Sequence, residues 1–76
     1  MAVKIQLFGQ LKQIAGAAEL TIDATDTDEL ARKMTIRFPV LKNLPYLIAV
    51  DRNVIQGNTP ITGSEELALL PPYSGG

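Results

Sequence analysis

The chain has 76 residues, 46% of them apolar, which suits one small domain with a thin core. Seven Lys and Arg against eight Asp and Glu leave a net charge of −1, no electrostatic basis for binding nucleic acid or an anionic membrane. Cysteine and histidine are absent, which excludes disulfides, zinc sites of the usual ligand type, thiol nucleophiles and Ser/His/Asp triads, and removes the side chain best suited to acid/base work near neutral pH.

AVKIQLF (2–8) alternates as a strand does, with Val3, Ile5 and Leu7 on one face and Lys4 and Gln6 on the other. The same alternation breaks the layout a signal peptide needs, and no apolar run approaches the roughly 20 residues of a membrane span, so a cytoplasmic location is expected. Phe8 falls on the polar face, either folded back beneath a loop or left exposed for a partner to cover. GQLKQIAG (9–16), bracketed by Gly9 and Gly16, reads as one helical turn or a packed loop; it lacks the GK[ST] ending of a phosphate loop. AAELTI (17–22) reads as a second strand with Ala18, Leu20 and Ile22 on one face.

Leu30, Met34 and Phe38 recur every four residues with Ala31 beside them, the apolar stripe of a helix of about three turns. Thr27 or Asp26 can cap it, Asp28 and Glu29 sit where the helix dipole favours negative charge, and Pro39 ends it. These acids lack the glycine and the terminal glutamate of a calcium loop, so the spacing argues for capping. Arg32, Lys33 and Arg37 lie off the stripe, as a solvated face or a docking patch for an acidic partner. YLIAV (46–50) is a continuous apolar run expected as a buried strand; DRN (51–53) suits a hairpin turn and VIQ (54–56) a short return strand. GNTP (57–60) reads as loop, TGSE (62–65) as a turn with Gly63 at positive φ, and ELALL (66–70) as the last strand. Asp51, Arg52, Glu65 and Glu66 are most simply exposed turn residues.

One helix cannot cover both faces of a mixed five-stranded sheet, so the elements predict an α+β roll of the ubiquitin (β-grasp) kind, helix on one face and the other face partly open. Strand parity then assigns Phe8, Leu70 and Val54 to an exposed apolar patch on the open face. The expected division is a β-grasp domain over 1–70 and a flexible Gly-Gly tail over 71–76.

That tail, PPYSGG, follows an apolar strand directly. Pro71 and Pro72 hold the exit extended and reduce the freedom lost on docking. Gly75 and Gly76 have no Cβ, so the chain end can thread a narrow channel with nothing crowding the terminal carbonyl. Tyr73 and Ser74 can anchor the tail by ring contact and hydrogen bonding. Pro72 to Gly76 can extend on the order of 16 Å, enough to enter a partner's pocket.

KIQLFGQLKQIAG at one end and LIAVDRNVIQGNTPITGSEELALLPPYSGG at the other resemble the MoaD-type sulfur carriers, the small subunits of molybdopterin synthase in the ubiquitin-like superfamily. Two prolines, two residues and Gly-Gly after an apolar strand are the specific part of the resemblance. TGSEE departs from the Asp-Gly-Asp frequent in the family, which touches turn stability and not chemistry, and the helix matches in pattern only. The resemblance implies that an E1-like (MoeB-type) enzyme adenylates the Gly76 carboxylate with ATP and that sulfur replaces the adenylate to leave a thiocarboxylate. The tail then enters the large (MoaE-type) subunit and gives its sulfur to cyclic pyranopterin monophosphate. It implies no bound cofactor beyond the ATP spent by the activating enzyme, and an interface through Phe8, Val54 and Leu70. The chemistry agrees with this: a free α-carboxylate, with a pKa of about 3.3–3.7, is an unreactive anion at neutral pH and must become a mixed anhydride before sulfur can displace anything. Two alternatives stay open: a carrier or modifier of another route (thiamine, tungsten cofactor, lysine conjugation), and a plain interaction module.

Overall fold

The computed structural model describes residues 2–72 of the chain. The alternation of the first segment becomes β1, Ala2–Leu7, which buries Val3, Ile5 and Leu7 and exposes the residues between them. β1 pairs antiparallel with β2, Glu19–Asp23, on one side and parallel with β5, Leu67–Leu70, on the other. β3, Leu47–Val50, lies antiparallel to β5 and carries the edge strand β4, Asn53–Val54. The sheet order is β2-β1-β5-β3-β4, mixed and five-stranded, with the first and last long strands side by side near its centre. This is the ubiquitin-like β-grasp arrangement that the element order predicts.

The helix-bearing face holds the core. Leu30 and Met34 of α2, Thr27–Arg37, are 0% and 1% exposed and pack with Ile5, Leu67 and Leu69 of the sheet. Of the two cap candidates, Asp26 does the work: its carboxylate accepts from the Glu29 N–H at 2.8 Å. Glu29 in turn accepts from the Thr25 N–H at 2.7 Å, an interaction that leads the causes holding its carboxyl below the usual range. Thr27 is instead buried, and its hydroxyl accepts from the Thr59 N–H at 2.8 Å. The Asn58 side-chain oxygen accepts from the Asp28 N–H at 2.9 Å, so the segment read as plain loop is tied to the start of α2. The helix stops at Arg37 before Pro39, as the proline demands.

Several boundaries differ from the sequence expectation. Segment 9–16 is a short helix, α1, Gln10–Ala15, that buries Leu11 and closes on Gly16 at φ 73°. β2 begins at Glu19, and Ala18, expected to share the inner face with Ile22, is exposed; its carbonyl still accepts from the Leu7 N–H at 2.8 Å. A 3-10 turn, Pro39–Asn43, follows α2 and buries Leu41, a contribution no periodicity announced. β3 was expected to be buried throughout, yet only Ala49 is; Leu47, Ile48 and Val50 are half-buried. The strand on its outer side, β4, is only two residues long, so Ile48 and Val50 keep part of their surface although they share the core face with Leu69 and Leu67, whereas Ala49, on the other face, is small enough to be covered by its neighbours. β4 is shorter than 54–56, and β5 starts one residue later than expected. The hairpin turn has both central residues, Asp51 and Arg52, at positive φ, 51° and 70°, the pairing that matches the twist of the flanking strands. No helix among the described residues is long and apolar enough to cross a membrane.

Candidate functional site

On the helix-free face the register aligns Gln6 of β1, Ala68 of β5, Ala49 of β3 and Val54 of β4 in one row across four strands. The next row carries Leu70 opposite Leu47. Phe8, one residue beyond β1, still donates its N–H to the Leu69 carbonyl at 3.2 Å, which keeps it beside the end of β5. Two alanines therefore make a low floor, and larger apolar side chains stand around it. The result is a shallow depression of about 330 Å³ lined by Phe8, Ala49, Val54, Ala68 and Leu70. Phe8 is 44% and Val54 45% exposed, large values for apolar side chains this size, while Leu70 is half-buried. The structure thus brings together the three residues that strand parity placed on one face, and adds Ala49 and Ala68. Ala68 shares Leu70's parity and was readable; Ala49 joins through the β3–β5 pairing, which the sequence does not display.

One wall of the depression is polar. Arg52 Nε donates to Glu66 Oε1 at 3.1 Å, and both residues line the site. The Glu66 N–H donates to Asp51 Oδ1 at 3.0 Å, and the Asp51 N–H to the Glu66 carbonyl at 2.8 Å. Asp51, Arg52 and Glu66, expected as separate exposed turn residues, are exposed, but they form one latch that holds the β3–β4 hairpin against the start of β5; Glu65, expected exposed with them, is half-buried. Just before β5, the Glu65 carboxylate accepts from the N–H groups of Thr62 and Gly63 at 3.0 Å and from the Thr62 hydroxyl at 3.0 Å. The Thr62 N–H leads the interactions that bring its pKa down to about 2. Gly63 takes φ 106°, as expected of that turn.

Leu70 leads directly into Pro71, which is half-buried, and Pro72, which is exposed. The expected tail residues Tyr73, Ser74, Gly75 and Gly76 lie outside the described residues. Among the described residues no group of three His, Cys, Asp or Glu side chains is placed to hold a metal ion. What the face offers chemically is desolvation: a partner with a complementary apolar bulge would remove Phe8, Val54 and Leu70 from water beside the root of the tail.

The sequence pattern of the ThiS family matches residues 5–76. A molybdopterin synthase sulfur carrier subunit of Caenorhabditis briggsae is 30% identical, over 100% of this chain and 99% of that protein. The solution structure of small archaeal modifier protein 1 from Methanosarcina acetivorans superposes with a TM-score of 0.82 at 26% identity, covering 99% of this chain and 96% of that one. A complex of subunits 1 and 2 of molybdopterin-converting factor from Helicobacter pylori contains a chain 32% identical to this one, with a TM-score of 0.72 and 100% of both chains covered. The pattern spans the open sheet face, the strand leading out of it and the Gly-Gly end, and the chain belongs to the ThiS family.

Proposed function

We propose that this chain is a sulfur carrier of molybdenum cofactor assembly, the small subunit of a molybdopterin synthase. The observation that carries the reading is the apolar depression on the helix-free face, which runs through Leu70 to the root of the PPYSGG tail. A carrier needs one surface to be recognised and one end group to be charged, and it needs them adjacent. Relatives that align with this chain over 99% of their own length are named molybdopterin synthase sulfur carrier subunits, and a similar chain occurs in a two-subunit complex.

In this reading the Gly76 carboxylate attacks the α-phosphate of ATP on an E1-like activating enzyme and expels pyrophosphate. Hydrosulfide delivered by the sulfur donor then attacks the acyl carbon and displaces AMP from the acyl-adenylate, and the thiocarboxylate forms with loss of the S–H proton. The body docks on the large subunit through Phe8, Val54 and Leu70. Pro71, Pro72, Tyr73, Ser74 and Gly75 guide the end group to cyclic pyranopterin monophosphate. The step gains from proximity, because the sulfur arrives tethered instead of from solution.

The test is intact-mass spectrometry after incubation with the activating enzyme, ATP and a sulfur donor. The expected result is a mass gain equal to exchange of one oxygen for sulfur, localised to Gly76. No gain, from an activating enzyme shown to charge another carrier, rules the reading out.

A further inference from the structure

We infer that Gly9 is the seat of Pro71 and so a positioning residue for the C-terminal tail, an inference that rests on the sulfur-carrier reading. The parallel ladder pairs Ile5 with Leu67, Gln6 with Ala68 and Leu7 with Leu69. The same offset carries Phe8 to Leu70 and Gly9 to Pro71, and the Phe8 N–H bond to Leu69 shows the ladder running on past Leu7. At the next step it ends for two covalent reasons. Pro71 has no N–H to give. Gly9, at φ 58° and ψ −131°, swings the chain out of the sheet and into α1, a backbone conformation that side chains with a Cβ rarely adopt.

The missing side chain has a second use. A Cβ on Gly9 would stand 2.9 Å from Pro71 Cγ and 3.6 Å from Pro71 Cδ; carbon atoms in good contact sit about 3.5–4.0 Å apart. The proline ring therefore occupies the space where that Cβ would be. Gly16 also has a positive φ, 73°, but nothing lies within 4 Å of where its Cβ would stand. The close approach is thus a property of Gly9 and not of turn glycines in general. Pro71 is half-buried and Pro72 exposed, so among the described residues Pro71 is the last that the body grips. Its ring on Gly9 fixes where the tail departs, next to the Phe8 and Leu70 side of the docking face, and limits the arc through which the chain end must search.

The experiment is a double-mutant cycle of Gly9→Ala and Pro71→Ala, read by the rate of ATP-dependent adenylation at saturating activating enzyme and, separately, by thermal unfolding. Gly9→Ala should slow adenylation about tenfold, the cost of a tail root displaced by a fraction of an ångström to an ångström. Pro71→Ala alone should slow it by about threefold through a looser exit. The double variant should match Pro71→Ala within about twofold, because the clash is gone. Its melting temperature should remain clearly below that of Pro71→Ala, because the positive φ still strains the backbone. Rate restored while stability is not is a split that a purely structural role would not produce. A double variant as slow as Gly9→Ala, or a folded Gly9→Ala with the wild-type rate, overturns the inference. Should Gly9→Ala not fold, Pro71→Ala decides alone: a wild-type rate in that variant overturns it. A wild-type protein that is never adenylated removes the carrier reading and this inference together, whereas wild-type turnover with an unaffected cycle removes this inference only.

Discussion

Replacing Phe8 by alanine tests whether the helix-free face is a docking surface, and the structure sets the size of the effect. Phe8 is 44% exposed; of a side chain that buries about 200 Å², close to 90 Å² remains for a partner to cover. At about 25 cal/mol per Å² that area is worth about 2 kcal/mol, or roughly 30-fold in Kd. Phe8 is not part of the buried core cluster, so the variant should fold and melt close to the wild type. Leu70→Asp should weaken binding at least as much, since a carboxylate at the centre of a dry contact costs more than a missing ring. Val54→Ala should have a smaller effect, because less side chain is lost. Isothermal titration of each variant with the large synthase subunit measures the change, and circular dichroism checks the fold. Unchanged affinity for folded Phe8→Ala and Leu70→Asp would refute the assignment of this face.

Removing Gly75 and Gly76 should abolish thiocarboxylate formation while leaving the melting temperature and large-subunit affinity of the body nearly unchanged; mass spectrometry that still finds the sulfur adduct on the shortened chain contradicts the proposed chemistry. Asp26→Ala deletes the α2 cap and should cost about 1 kcal/mol in urea unfolding, with Asp26→Asn retaining most of the stability; equal midpoints for Asp26→Ala and the wild type would assign the cap no energetic role. Glu65, whose pKa falls from 4.5 to about 2 on folding, contributes stability that is present above the unfolded value and lost as pH falls toward the folded one. The wild type should therefore lose more thermal stability through that acid window than Glu65→Gln does, and parallel melting curves against pH would disprove the contribution.

Much of the fold is written in local order. The alternation of Val3, Ile5 and Leu7 declares a strand and its inner face, and Leu30 and Met34 at helical spacing declare the stripe that fills the core. Strand parity carries Phe8, Val54 and Leu70 to the same open face, three of the five apolar residues that line the depression. The rest depended on which strands meet. Ala49 becomes the floor of the depression only because β3 lies against β5, opposite Ala68. Arg52 and Glu66, 14 positions apart, become one latch only because the β3–β4 hairpin closes over the start of β5. Three alternating residues carry too little signal to set the strand boundary that leaves Ala18 outside β2, and an apolar run does not reveal the nearby sheet edge that leaves β3 only half-buried.

By itself the amino-acid order determined the first strand and its inner face, the long helix with its apolar stripe, and the capping acids at the start of α2. Only the tertiary structure decided that β1 and β5 run side by side, and with them that Gly9 meets Pro71 across 62 positions at a distance of 2.9 Å from where a Cβ would stand. Periodicity is a property of neighbours along the chain, where each residue's φ and ψ set the direction of the next side chain. Contacts between distant segments arise from burying apolar surface cooperatively, and that choice is made by the whole core at once.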